Sequence, residues 1–185
     1  MTTPDSNQAS AGATAYAGPA SFQLDPAGSA VSITHKHSWG LGTVRGSFTK
    51  LSGSAEILAN GSGRGRLEID AASIDTKNAR RDKHLRSRDF FNASEHPQIV
   101  VDVPQAARQG SDGVTTTGTL TVAGQSRPLT LTARITEATD RAITLTADAE
   151  IDRADFGLNW NQLGMIKGKA HVSVVAKFVR QVAGQ

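Results

Sequence analysis

The chain has 185 residues, a length that suits one domain with a modest tail. Its mix of 38% hydrophobic and 20% charged residues fits a soluble globular protein, and a net charge of +3 does not call for nucleic-acid binding. It has no 18-residue apolar run to span a membrane as a helix, and no cysteine for disulfides or thiolate metal sites.

Residues 1–21 are rich in Ala, Gly, Ser, Thr and Pro and read as a flexible arm. They lack the basic n-region and apolar h-region of a secretory signal, so the expected location is cytoplasmic. The domain is expected over residues 22–181, with 182–185 as a short tail. Residues 22–24 open it and 25–28 turn. Over 29–38, Val31, Ile33, His35 and His37 fall on one face at period two, which predicts a strand. Residues 43–49 and 52–59 read as two more strands. Asn60-Gly61 makes a hairpin turn, because both residues tolerate positive φ. Residues 64–71 carry Leu67 and Ile69 on one face.

Alternation then stops. Between residues 76 and 90 there are six basic residues and two acidic ones, a local charge of +4 beside a whole-chain charge of +3. This stretch predicts a short helix capped by Asp75 or Thr76, with Asp82 paired to Arg86 four residues on. It has no wide apolar stripe, so it cannot be a core helix. It reads as a lid across the end of a sheet, pinned by Leu85 and by Phe90-Phe91.

Strand pattern returns at 98–103, where Ile99, Val101 and Val103 align. Residues 114–122 follow, with a turn at 123–126 and Pro128 at the start of the next strand. Leu129, Leu131, Ala133 and Ile135 share a face, as do Ile143, Leu145, Ala147, Ala149 and Ile151. Asp152, Arg153 and Asp155 read as a turn with Phe156 beneath, and Trp160 is expected near the open end. The last strand, 170–179, aligns Val172, Val174, Ala176 and Phe178. About eight short strands around one helical interruption argue an all-β sandwich or barrel. One apolar face per strand suits a single closed antiparallel sheet.

The ordered motifs carry a resemblance. Ser73-Ile74-Asp75-Thr76, Arg81-Asp82-Lys83-His84-Leu85, Asp89-Phe90-Phe91 and Glu95-His96-Pro97 resemble the SIDT, RD-x-HL, DFF-like and pre-strand Pro pattern of the YceI-like proteins, a bacterial lipid-binding family. Val44-Arg45-Gly46-Ser47-Phe48, residues 118–124 and residues 151–157 resemble further family motifs. Gly28 stands where the family has His, and His35 where it has an apolar residue. The resemblance covers nearly residues 22–180 and implies a lipocalin-like antiparallel barrel that holds a long isoprenoid. Many members are exported, unlike the location expected here.

From the residues alone, the inward apolar faces read first as a filled core. The small residues Ala133, Ala147, Ala149 and Ala176 leave space, and with the resemblance they point to a lumen. Its expected ligand-binding residues are Val31 and Ile33, then Leu67 and Ile69, then Phe90 and Phe91 at the lid. Ile99 and Val101, Leu131, Ile143 and Leu145, Phe156, Trp160 and Val174 complete the set. His37, Arg81, Asp82 and His84 are expected at the mouth, where Arg would suit a phosphate. The functional expectation is a carrier or store for a polyprenyl chain or an isoprenoid quinone, with no cofactor and no enzymatic activity. The partner is the isoprenoid lipid. YceI-like proteins are often dimers, so a homodimer is compatible with the resemblance, but no interface is legible.

The competing expectation is an enzyme that uses His35 and His37 with His84 or His96 as metal ligands or acid–base groups. Two histidines on one strand are too few for zinc, which takes three or four protein ligands. No hydrolase, zincin, phosphate-loop or dinucleotide motif is present. The basic stretch also lacks the interleaved aromatics of a single-strand nucleic-acid platform.

Overall fold

The computed structural model describes residues 18–37, 42–159 and 169–181. The expected arm therefore lies mostly outside the described residues, as do Trp160 and the residues after 181. The strands are β1 (Ala20–Leu24), β2 (Ala30–His37), β3 (Gly42–Phe48), β4 (Leu51–Ile57), β5 (Gly63–Asp70), β6 (Ile74–Asp75), β7 (Gln98–Gln109), β8 (Gly113–Val122), β9 (Gln125–Ala138), β10 (Ala142–Ile151) and β11 (Ala170–Arg180). The helix α1 spans Ala79–Arg86 between β6 and β7.

All strands belong to one antiparallel sheet. β11 pairs back onto β1, so the sheet closes. Pairing also shows that β1 with β2, β3 with β4, and β5 with β6 act as three long, interrupted staves. β1 pairs β4 with Phe22 opposite Ala55, and β2 pairs β3 with Val31 opposite Phe48. The barrel is therefore eight staves in a simple up-and-down meander, each beside its neighbour in sequence. Closure pairs the two outermost staves, β1–β2 and β11, with each other.

The interruptions have local causes. After β1, the Asp25 side chain accepts the Ala27 N–H at 3.1 Å and starts a short 3-10 turn. Ser29 ties that turn to β11, accepting the Lys177 N–H at 2.9 Å. The breaks between β3 and β4 and between β5 and β6 share one staple: the buried Ser73 hydroxyl accepts the N–H groups of Thr49 and Lys50, both at 3.2 Å. Each freed backbone donor thus finds an acceptor, as a buried one must.

β7 runs past the expected end at Val103 through Pro104 to Gln109. Pro104 has no N–H to give a ladder, and the β7–β8 register shifts between Asp102 and Gln105 at that point. The bulge absorbs the proline and lets the strand continue. Similarly, Pro128 sits inside β9 rather than at its start.

The meander sorts its turns between two ends. The β4–β5, β7–β8 and β9–β10 hairpins lie at one end. The other receives the ends of β2 and β10, the β8–β9 turn and the α1 segment that links β6 to β7. The latter is the lid end.

Candidate ligand cavity under a basic lid

The lid is built by short-range chemistry. Lys77 takes positive φ, 59°, and reverses the chain after β6. Asn78, not Asp75 or Thr76, caps α1, its side chain accepting the Arg81 N–H at 3.1 Å. Asp75 is engaged instead by the Lys77 backbone and ammonium, at 2.8 and 2.6 Å. That side-chain bond, followed by the backbone bond, holds the Asp75 carboxyl below the usual range, and the same side-chain bond, followed by the Asp75 charge, raises Lys77.

Thr76 is buried and forms the hub under the helix. Asp82 Oδ1 accepts from the Thr76 N–H at 3.0 Å and from its hydroxyl. Arg81 Nε donates to the same hydroxyl at 2.7 Å, and its Nη2 to the Thr76 carbonyl at 2.8 Å. Arg86 donates to the Ile74 carbonyl at 2.8 Å. The expected Asp82–Arg86 pair is therefore not made, because both side chains bond to the β6 stave instead. These bonds fix a polar helix that has little apolar surface of its own to bury.

Leu85 and Phe91 supply the apolar anchor and pack on the core. The Phe91 ring meets Phe48 of β3 edge-on, centroids 5.8 Å apart. His84 contacts the Phe90 ring in the same manner at 5.1 Å and bonds Asp89 at 3.2 Å. Beyond the helix, Glu95 accepts from Asn92 and Arg88, and those partners hold its carboxyl below the usual range. The His96 ring lies against Gly124 in the β8–β9 turn, where a Cβ would come within 2.6 Å of it. Gly124 also has φ 75°, so glycine is required there twice over.

Under this lid the barrel encloses a cavity of about 1160 Å³. Ordinary small-molecule sites measure about 300–1,000 Å³. The burial of its walls shows that it is not a filled core. Phe22 is 1% exposed, yet Ile33, Leu131, Ile143, Leu145 and Val174 are only half-buried although they point inward. Their remaining surface faces the lumen.

Most residues expected in the lumen do line it. Val31, Ile33, Leu67, Ile69, Ile99 and Val101 form one side, and Leu131, Ile143, Leu145 and Val174 the other. Phe90, Phe91 and Phe156 border it near the lid. Arg81 and His84 also reach the cavity, but Asp82 does not: its carboxylate is buried against Thr76. His37 closes β2 opposite Gly42, and its side chain, like Trp160, is outside the described residues. His35 lines the lumen, whereas His84 is engaged by Asp89 and His96 by the Gly124 turn. Among the described residues no three His, Asp or Glu side chains form a group that could hold a metal ion.

Sequence reasoning missed four features of the wall. Gly63 and Gly65 leave the lumen face of β5 bare beside Ala106. Thr116 faces inward with its hydroxyl donated to the Leu131 carbonyl, which makes a polar residue tolerable there. Asn78 and Arg80 join the mouth. Arg153, in the 3-10 turn after β10, also lines the cavity, and burial lowers its pKa against the opposing pull of Asp152.

The YceI-like domain model matches residues 22–178, nearly the whole barrel. The chain belongs to the YceI-like family. Relatives include protein YceI of Escherichia coli, 31% identical over 120 residues that make up 62% of each chain. A UPF0312 protein of Azotobacter vinelandii is 33% identical over 101 residues, 53% of this chain and 50% of that one. The matched stretch thus spans less than two thirds of these relatives' own length. Among solved structures, Burkholderia cenocepacia BcnA superposes with a TM-score of 0.74 at 21% identity, covering 83% of this chain and 98% of that one. A polyisoprenoid-binding domain of Saccharophagus degradans gives 0.72 at 19% identity, with 86% and 98% covered. At these identities the structural likeness speaks for the fold: the closed antiparallel barrel with its one short helix.

Proposed function

We propose that this protein binds a long apolar isoprenoid, a polyprenyl chain or the tail of an isoprenoid quinone, inside the barrel and serves as its carrier or store. The observation that carries this reading is the lumen: about 1160 Å³ of space, walled by aliphatic and aromatic side chains and roofed by a pinned lid. Burying apolar surface is worth roughly 25 cal/mol per Å². A long chain that fills such a lumen gains from its whole length, without any specific polar contact. Membership of the YceI-like family supports the reading, as does a structural relative described as polyisoprenoid-binding. Mass spectrometry of organic extracts from the purified protein tests it. A co-purifying isoprenoid in near-stoichiometric amount is expected. Repeated absence of lipid, together with failure of delipidated protein to take up polyprenyl alcohols, would overturn it.

A further inference from the structure

The outer surface of the lid carries charge that its packing does not use. Residues 77–88 hold six basic side chains and one acid, Asp82, and that acid is buried beneath the helix. Three of the six are committed: Lys77 to Asp75 at 2.6 Å, Arg88 to Glu95 at 2.6 Å, and Arg81 to Thr76 on the underside. The other three, Arg80, Lys83 and Arg86, follow one another at i, i+3 and i+6 along α1, a spacing that sets side chains next to each other on a helix surface. All three are exposed. Arg86 gives one donor to the Ile74 carbonyl, a neutral acceptor. Among the described residues, Arg80 and Lys83 make no ion pair. At the hairpin end, cations sit beside acids instead. Arg64 pairs with Glu56, Arg134 with Asp112, and Arg141 follows Asp140 in the β9–β10 turn.

Beside the lid lies a second, smaller cleft of about 350 Å³, between the stretch after α1, the β8–β9 turn and the 3-10 turn after β10. Arg88 and Arg127 border it on the outside, and both are exposed. Its apolar lining includes Phe90, Phe156 and Leu158, and the same three side chains line the lumen. One layer of apolar side chains therefore parts the lumen from the exterior at this place. None of the three belongs to a strand, so moving them breaks no rung of the barrel ladder.

We infer that the outside of the lid is a docking face for an anionic bilayer, on which Arg80, Lys83 and Arg86 meet the charged surface while the isoprenoid passes between membrane and lumen through the Phe90–Phe156–Leu158 layer beside them. This inference rests on the proposed isoprenoid binding and adds the partner that supplies or receives the cargo. A long apolar chain that crossed open water would expose its whole length on the way. Docking with the cleft against the bilayer removes that exposure. The cations suit such a surface. They sit on long side chains, they are not held by acids of their own, and each basic residue near an anionic leaflet adds attraction without needing a fixed partner. An acidic protein would account for the cations, but not for a thin apolar partition onto the lumen at their side.

The test is co-sedimentation of delipidated full-length protein with vesicles of phosphatidylcholine alone or mixed with phosphatidylglycerol, each carrying a polyprenyl alcohol whose transfer to the protein is followed in time. Binding to the anionic vesicles and little to the neutral ones is expected, and it should weaken steeply as salt rises. One basic residue at an anionic surface is worth about fivefold in partitioning, so Arg80→Gln with Lys83→Gln should lower binding by on the order of tenfold or more. Arg80→Lys with Lys83→Arg should bind like the parent, because the surface reads charge rather than donor geometry. Arg141→Gln with Arg180→Gln removes the same charge at the hairpin end. The ten residues of β10 set that end roughly 25 Å away, about three Debye lengths, so this pair should change binding by less than about twofold. Phe90→Ala thins the partition and should speed transfer. Equal sedimentation with both kinds of vesicle, or an equal loss from the two double substitutions, overturns the docking face. So does retention on polyglutamate without binding to vesicles, which would assign the cations to an acidic protein. Uptake of the alcohol without vesicle binding overturns docking and leaves the isoprenoid reading standing. Vesicle binding without uptake overturns the isoprenoid reading, and the entry route with it.

Discussion

Thr76, Asp82 and Arg81 decide how the lid sits, and they show how far single residues could be read. The sequence placed all three in the right segment but gave Asp82 the wrong partner and Thr76 the role of a helix cap. Helical spacing suggested Asp82 with Arg86, because i,i+4 neighbours on a free helix do meet. Burial changes that choice. Thr76 is 4% exposed and Asp82 6%, so the Thr76 N–H and hydroxyl need an acceptor that water cannot supply, and Asp82 provides it. Such a preference depends on which residues the barrel buries, which no local pattern reveals. Asp82→Ala should therefore cost about 1–3 kcal/mol in urea-induced unfolding, since it leaves buried donors unsatisfied. A change within about 0.5 kcal/mol would mean that the hub is only decorative. Arg81→Ala removes two bonds from a half-buried side chain, but its partners are a hydroxyl and a carbonyl rather than a buried acid. Its expected cost is smaller, about 1–2 kcal/mol.

At the scale of elements, the strands were legible because one face of each is apolar and the period of two is strict. The interruptions were less so: β3 and β4 read as separate strands, β6 was not read as a strand at all, and only the shared Ser73 staple shows how the staves continue. The lid was legible as a break in alternation, but its clips were not. Two of them are carboxylates at the surface. Glu95 has its pKa lowered, chiefly by the Asn92 side chain and then by Arg88, and Asp75 by Lys77. A depressed folded-state pKa contributes stability that is present above the unfolded value and is lost as pH falls through the folded one. The ordinary values are 4.5 for Glu95 and 3.8 for Asp75, so both clips hold at neutral pH and weaken only below that range. Amide exchange, corrected for its intrinsic pH dependence, should show residues 79–96 losing protection on acidification before β8 and β9 do. Glu95→Gln should already show part of that loss at neutral pH. Lid and barrel losing protection together would remove the clips from the account.

For the whole molecule, the sequence left one question open that the structure answers: whether the inward apolar faces meet each other or surround space. Binary pattern cannot separate the two, because a filled core and a lipid-lined lumen use the same alternation. The small residues Ala133, Ala147 and Ala149 were the visible hint. The bare glycine face of β5 was the hidden one, since Gly63 and Gly65 have no side chain to show in an apolar alternation. An empty apolar lumen is a stability cost that a bound chain removes, so ligand should raise the melting temperature in a concentration-dependent way. Ala147→Phe turns this into a decisive measurement. Ala147 lies opposite Val174 on β11 and faces the cavity. In a filled core, adding a phenyl ring there would overpack the interior and cost typically about 1–3 kcal/mol. In a lumen, the ring enters open space, so the delipidated protein should unfold within about 0.5 kcal/mol of the parent or become more stable by burying new apolar surface. Lipid carried through purification should fall at the same time, because the ring occupies room the chain needs. Unfolding midpoint and extracted lipid are read on the same sample. Strong destabilisation with lipid content unchanged would mean that the barrel interior is packed at this level and that the ligand, if any, binds elsewhere.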